Sequence, residues 1–377
     1  MLEELRKRID QTDDELVRLF LERLALAGEV AEEKRAANLP ILNTAREREI
    51  ISRVTEGQPD ATAGYIKILF ATLFDLSRSH QAKLLSAPSR VAQEIAAALR
   101  STPALFPKSA VAACQGSEGA YATFACEKLF ERPSILYFNT FEGVFSAVEK
   151  DLCQYGILPI ENSLHGSVTG IYDLMKQYRF SIVRGVKLKI NHALLTRPGV
   201  RLEDVEKIYS HEQALGQCSE FLRGLSAAIE PCENTATAAK MLLEREEPGA
   251  AAISSMQCAQ LYNLSVLSED IQNSDNNYTR FICISKKLEI YPGARKISLM
   301  LALPHRPGSL YQFLAKLAAL GINLTKLESR PLPGRDFEFM FYFDLDVSVY
   351  DEAVFSLFSQ LESGNEKFMF LGCYTEI

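Results

Sequence analysis

From Leu2 to Asn38 no proline interrupts the chain, and Pro40 is the only one before Pro59. Leu5, Ile9, Thr12, Leu16, Leu19, Arg23, Leu26 and Val30 follow one another at alternating steps of four and three. That spacing is a heptad seam and predicts a helix longer than most in single domains. A second helix is expected from near Asn43-Thr44, carrying Ile50, Ile51 and Val54, and a third from about Ala63 to Leu85. Three helices cannot bury so long an apolar stripe among themselves, so the seam predicts a dimer.

A chain of 377 residues leaves room for two further domains behind this one. The helical domain is expected over 1–87 and a Pro/Ser-rich linker over 88–108, whose alanine-rich middle could form one short helix. Residues 109–286 alternate strand-like runs with helical patterns. SAVAACQ, SILYF, YGILPIE, SIVRGVKLKI, KIYS, AAIEPC, AAAIS and RFICIS read as strands of an α/β domain with a mostly parallel sheet. Residues 297–377 read as β-α-β-β-α-β, the order of a ferredoxin-like split βαβ. Phe339, Phe341, Phe343, Leu345 and Val347 alternate there as in a half-buried strand.

Hydrophobic residues make up 47% and charged residues 24%, which is globular composition. The net charge of -7 argues against a nucleic-acid partner. No apolar run reaches the ~18–20 residues a membrane helix needs, and MLEELRKRIDQTDDEL has no signal core. A cytoplasmic protein with no membrane partner is expected. The eight cysteines form no CxxC pair and the five histidines no cluster, so reduced thiols and no metal site are expected.

Arg23 occupies the seam itself, and Lys34 falls on the same side of the helix three turns later. Two cations facing a packed interior are costly unless an anion meets them. Arg6 lies near the same stripe but 17 residues before Arg23, ~25 Å along a helix. To act with Arg23 it must come from a second, antiparallel chain. LRKRID, the stretch from Leu16 to Lys34 and the RERE run at 46–49 resemble the all-helical chorismate mutases. The resemblance implies that Arg6, Arg23, Lys34, Asn43, Glu47, Ser77 and Gln81 bind chorismate, Asn43 standing where relatives carry Asp. The rearrangement to prephenate is pericyclic, so the catalyst must hold one conformer and stabilise charge growing on the ether oxygen. Lys34 and Gln81 are the residues chosen for that oxygen.

In the middle domain the GxxGAY turn at 116–121, PIENSLHGSV at 159–168, YSHEQALGQC at 209–218 and NYTRF at 277–281 resemble prephenate dehydratases. The turn at 116–121 lacks the Rossmann glycine spacing, so no dinucleotide is expected, and no cofactor is called for. The resemblance implies two lobes like those of a periplasmic binding protein, with prephenate between them. Prephenate there loses water and CO2 to give phenylpyruvate. Thr279 is implied as the hydroxyl donor, Arg280 as a carboxylate-binding or site-ordering cation, and Phe281 as apolar wall or core. Ser117, Asn162, Ser163, Thr235 and Thr237 are further polar candidates, with turn and cap chemistry as the alternative. His211 is either an acid or a loop hydrogen-bonder.

Gly308, Ser309 and Leu310 open a helix, and Glu328, Ser329 and Arg330 end a strand. They match the GAL-like and ESRP motifs of ACT domains, which implies L-phenylalanine as an effector and feedback inhibitor. The whole resembles the bifunctional chorismate mutase–prephenate dehydratases, in homodimers or higher homo-oligomers. The implied fold is multidomain: an all-α mutase, an α/β two-lobed dehydratase and an α+β ferredoxin-like ACT domain. Two other readings are a dehydratase whose mutase segment only dimerises, and a non-catalytic amino-acid sensor. The cation set of the first segment argues against the former and Thr279-Arg280 against the latter.

Overall fold

The computed structural model describes residues 1–85, 89–245, 247–305, 307–331, 339–363 and 367–377. They divide into two compact units, residues 1–97 with 299–370 and residues 98–298 with 371–377.

The three expected helices are α1 (Leu2–Ala36), α2 (Thr44–Thr55) and α3 (Asp60–Leu85). α1 is one continuous helix of 35 residues. It stops where Asn38 takes a positive φ and Pro40 follows. Asn43 caps α2, its side chain accepting from the Arg46 N–H at 3.0 Å. Within the chain α1 buries only Ala27 and Ala31. The seam residues Leu5, Ile9, Leu16, Leu19, Leu26 and Val30 stay 46–58% exposed. The alanine-rich part of the linker forms α4 (Arg90–Ser101).

The second unit begins with β1 (Ser109–Gln115), α5 (Tyr121–Leu129), β2 (Arg132–Phe138), α6 (Phe141–Glu149), β3 (Tyr155–Asn162), β4 (Gly166–Ser167), α7 (Thr169–Tyr178) and β5 (Ser181–Lys189). It continues through β6 (Ala193–Thr196), β7 (Lys207–Ser210), α8 (Glu212–Gln217), α9 (Ser219–Leu222), β8 (Ala228–Pro231), α10 (Thr235–Glu244), β9 (Ala250–Ser254), α11 (Met256–Leu261) and β10 (Ser265–Ser268), and returns in β11 (Tyr278–Ser285). All the strand-like runs of 109–286 are strands; β4, β6 and β10 were not expected.

These strands form two mixed sheets, not one mostly parallel sheet. In the first, β1 is parallel to β2 and β3, and β11 lies antiparallel between β3 and β5. In the second the order is β10-β6-β9-β7-β8, with β7 parallel to its neighbours and β6 antiparallel to its own. The antiparallel strands follow from the path. The chain leaves the first lobe after β5, builds the second, and re-enters as β11. Apolar periodicity reports burial and carries no strand direction, so the sequence pattern was blind to this. Each lobe has its own core, Ile157, Val183, Val186 and Phe281 in one and Tyr209, Ala239, Leu242 and Ala252 in the other. All eight cysteines are free.

The C-terminal elements are β12 (Lys296–Ala302), α12 (Ser309–Ala319), β13 (Asn323–Pro331), β14 (Phe339–Asp346), α13 (Glu352–Ser363) and β15 (Lys367–Glu376), with strand order β13-β14-β12-β15. Phe313 of α12 packs on Phe343 of β14 with ring centroids 4.5 Å apart. β14 departs from simple alternation. Met340 and Tyr342 are buried, whereas Phe339 and Phe341 are only half-buried. Among the described residues no helix is long and apolar enough to cross a membrane.

The last residues of β15 belong to the second unit. Thr375 pairs with Arg184 and Glu376 with Gly185, parallel to β5. Ile377 N–H donates to Gly185 O at 3.0 Å and Lys187 N–H to Ile377 O at 2.8 Å. Gly372 permits this approach. It has φ +143°, and a Cβ there would lie 2.2 Å from the Ile182 carbonyl oxygen. Gly372→Ala should therefore lower stability by about 2 kcal/mol or more. Urea unfolding would show it as a lower midpoint, and an unchanged midpoint would refute this account of Gly372.

Candidate functional site

One face of the helical segment gathers cations. Arg23 and Lys34 come from α1, Asn43 and Glu47 from the start of α2, and Ser77 and Gln81 from α3. Together with Arg46 and Arg78 they line a pocket of about 250 Å³. The protein itself holds Arg23 in place. Its Nη1 donates to the Leu73 carbonyl at 3.1 Å and to Ser77 Oγ, and its guanidinium sits 5.8 Å from the Phe74 ring centre. Burial pushes its pKa down. Lys34 donates to the Ile41 carbonyl. Burial lowers its pKa too, with Glu47 opposing and Arg78 reinforcing the shift. Glu47 is paired with Arg78, which also pairs with Asp75. The Gln81 Oε1 is buried with no hydrogen-bond partner among the described residues.

Arg6 is not brought to this pocket. It is exposed near the start of α1 and pairs with Glu3 at 3.3 Å. Arg78 was not singled out from the sequence, because nothing in its spacing separates it from an ordinary surface arginine.

The second site is a cleft of about 430 Å³ between the two lobes of the second unit. Its floor is the pair β3–β11. Thr279 stands opposite Asn162, and the Asn162 amide donates to Thr279 Oγ1 at 3.0 Å and to Asn277 Oδ1 at 2.8 Å. The other lobe brings in Gln217, at the end of α8. Its Oε1 accepts from Asn277 Nδ2 at 3.0 Å and from His192 Nε2 at 2.8 Å, and its Nε2 lies 3.2 Å from His165 Nδ1. Burial holds the His192 pKa below that of a free imidazole, so the ring is neutral near pH 7 and carries its proton on Nε2. The cleft lining contains no lysine or arginine among the described residues.

The sequence candidates divide. Asn162, Thr235, Thr279 and Phe281 line the cleft. Ser163 does not: its Oγ donates to the Asn276 carbonyl at 2.7 Å and accepts from the Tyr278 N–H at 2.9 Å, which ties down the turn. Thr237 is engaged through its N–H by the Asn234 cap at 2.8 Å, and Ser117 also lies outside the lining. His211 lines the cleft and caps α8, its Nδ1 accepting from the Gln213 N–H at 3.2 Å. Arg280 is the main correction. Successive strand residues face opposite ways, so with Thr279 and Phe281 in the cleft Arg280 points to the reverse face. There it pairs with Glu161 and Glu376 and donates to the Tyr374 hydroxyl. It is not placed to hold a ligand carboxylate. His192 and Gln217 were missed, since only the packing of one lobe against the other turns them into cleft groups.

In the C-terminal segment Ser309 and Leu310 line a recess of about 390 Å³ with Phe339 and Phe341. Gly308 starts α12 with φ +85°. Glu328, Ser329 and Arg330 lie on β13, with Ser329 opposite Phe341 and Arg330 opposite Met340, outside that lining.

Comparison with known proteins agrees with this division. The sequence model of type II chorismate mutase matches residues 5–82, and that of prephenate dehydratase matches residues 112–289. A bifunctional chorismate mutase/prephenate dehydratase of Aquifex aeolicus (strain VF5) is 32% identical over 375 residues, covering 99% of this chain and 97% of its own. The protein of the same description from Escherichia coli (strain K12) is 30% identical over 381 residues, covering 98% and 95%. The solved prephenate dehydratase of Arthrobacter aurescens, in complex with L-Phe, has a TM-score of 0.64 at 29% identity and covers 70% of this chain and 89% of that one. A cation-lined helical pocket and a two-lobed polar cleft thus stand on one chain that is similar to bifunctional enzymes along almost all of its length. The chain belongs to the bifunctional chorismate mutase/prephenate dehydratases, which convert chorismate to prephenate and prephenate to phenylpyruvate.

Proposed function

We propose that Arg23, Lys34, Glu47, Ser77 and Gln81 of one chain, with Arg6 from a second copy, form the mutase site. Arg23 takes a carboxylate of chorismate, already oriented by Ser77 and the Leu73 carbonyl. Lys34 and Gln81 meet the ether oxygen as negative charge grows there. Glu47 holds the ring hydroxyl. The Asn43 side chain is engaged in its cap, so its part is played through the main chain. The uncovered seam of α1 supports an antiparallel dimer, which carries Arg6 across.

For dehydration, the observation that carries the reading is the Asn162–Thr279 hydrogen bond. Thr279 Oγ1 accepts from Asn162, which leaves its own O–H to donate to the departing ring hydroxyl. The pyruvyl carboxylate is assigned to the starts of α5 and α10, whose first residues Tyr121 and Thr235 line the cleft. The ring carboxylate meets no lysine or arginine of the lining and leaves as CO2 from a weakly solvated position. Aromatisation drives the step.

The segment from Lys296 onward is read as a ferredoxin-like ACT domain; its element and strand order support this. Its effector is L-phenylalanine, the ligand named for the Arthrobacter protein.

The two chemistries should separate by mutation. Arg23→Ala should lower mutase turnover by about 100-fold, the scale of a lost charge-assisted pair of hydrogen bonds, and leave turnover of added prephenate unchanged. Thr279→Ala should do the reverse. Loss of both activities in either folded variant would sink the assignment.

Mixing inactive Arg6→Ala with inactive Arg23→Ala protein should restore part of the mutase activity. One site of each mixed dimer then carries both lesions and the other none. Subunits that demonstrably exchange without recovery would show that Arg6 does not act across chains.

Ser309 Oγ is buried with no hydrogen-bond partner among the described residues, and its residue lines the C-terminal recess. Ser309→Ala should weaken L-phenylalanine binding by about tenfold in calorimetry, the scale of one hydrogen bond, with uninhibited turnover unchanged. Binding of equal strength in wild type and variant would move the effector site elsewhere.

A further inference from the structure

Behind the cleft floor lies a second polar cluster that the reaction itself does not use. Arg280, only 8% exposed, is its centre. Its Nε pairs with Glu376, its Nη2 donates to the Tyr374 hydroxyl at 2.6 Å, and its Nη1 lies 3.7 Å from Glu161. The other carboxylate oxygen of Glu376 accepts from Lys296 Nζ at 2.6 Å, and Ser298 Oγ lies 2.8 Å from the Tyr374 hydroxyl. Glu376 thus stands between two cations. One comes from the strand that carries Thr279, the other from the start of β12.

The backbone permits this contact at Gly185. A Cβ there would lie 3.2 Å from the Tyr374 ring and 3.3 Å from the Glu376 side chain, so no side chain of β5 stands in the way. Two cross-strand pairs lie side by side, Thr279 opposite Asn162 on the cleft face and Arg280 opposite Glu161 on the reverse. The register shifts immediately after Arg280. The shift lies on the β3 side, the side of Asn162 and Glu161, while the register with β5 runs unbroken from Tyr278 to Cys283. A buried guanidinium that loses its close carboxylate must move toward water or another anion, and its strand moves with it.

We propose that Glu376 is a positioning residue for the dehydration step. By holding Arg280 on the reverse face it fixes Thr279 against Asn162 on the cleft face. The seating of the last strand thereby sets the geometry of the hydroxyl donor. Lys296 begins the first strand of the C-terminal segment and Glu376 ends its last, so the two ends of that segment converge on the strand that carries Thr279. The proposal rests on the reading of Thr279 as donor to the departing hydroxyl. It gives Arg280 a structural task in place of a substrate carboxylate.

The test uses the full-length enzyme with Glu376→Gln, which keeps the shape and removes the charge, beside Thr279→Ala. Expected are a kcat for prephenate about tenfold lower or more, a KM within about twofold of wild type, and unchanged chorismate mutase turnover. A residue serving stability alone would lower the unfolding midpoint and leave kcat per folded molecule intact, which would overturn the proposal. If Glu376→Gln does not fold, Tyr374→Phe is read in its place. It removes only the hydroxyl that Arg280 Nη2 reaches and should lower kcat about threefold; an unchanged kcat again overturns the proposal. An inactive Thr279→Ala beside a fully active Glu376→Gln defeats the positioning role alone. A Thr279→Ala enzyme that still turns over prephenate defeats the reading of Thr279 and the proposal with it.

Discussion

The pleat of β11 is the constraint on which the second unit turns. A strand must send successive side chains to opposite faces, and β11 lies between β3 and β5 with one face lining the cleft and Arg280 buried on the other. Thr279 and Phe281 therefore enter the cleft and Arg280 cannot. A guanidinium on the covered face needs anions, and Glu161 and Glu376 supply them from β3 and from the end of the chain. The same alternation thus sets Thr279 in the cleft and Arg280 against Glu161 and Glu376 on the other face. Gly372 is where the return of the C-terminus to the sheet demands the absence of a side chain, and at Gly185 a Cβ would crowd Tyr374 and Glu376.

The two candidate sites pose different electrostatic problems. The helical pocket is lined by Arg23 and Lys34 with Arg46 and Arg78 nearby, and these cations suit the dianion proposed to bind there. Burial presses on the charges of Arg23 and Lys34, so a carboxylate arriving there offsets their desolvation. The cleft, in the role proposed for it, must let a carboxylate go. Its lining offers amides, hydroxyls, imidazoles and the carboxylate of Glu233, and Asn277 behind it links Asn162 to Gln217 and His192. These groups present their donors without the positive charge that would hold CO2 back as carboxylate.

Much of this was legible in order and kind. The four-three spacing of α1, the strand-like runs of 109–286 and the β-α-β-β-α-β order of the C-terminus all report local burial, and local burial repeats with the period of each element. The cations of α1 stood out because charge on an apolar seam breaks that repeat. Thr279 stood out only through the resemblance of its motif to prephenate dehydratases, and Asn162 through a polar turn at the end of an apolar strand. What the pattern could not carry was direction and long-range pairing. β6 and β10 are four-residue strands without a marked repeat, and the antiparallel return of β11 exists only because the chain passes through the second lobe first.

The segments, their secondary structure and the chemical types available to each are written in the linear order of residues, since they depend on neighbours a few positions away. Which groups share a site is a property of packing. Gln217 and His192 are 25 positions apart and both far from Thr279 along the chain, yet they meet through one hydrogen-bonded network. Arg280 stands next to Thr279 in sequence and is separated from the cleft by the thickness of the sheet. Glu376 lies 96 positions beyond Arg280 and touches it. The reason is geometric. Adjacency along a strand places residues on opposite faces, whereas packing between strands joins residues with no fixed separation in the chain.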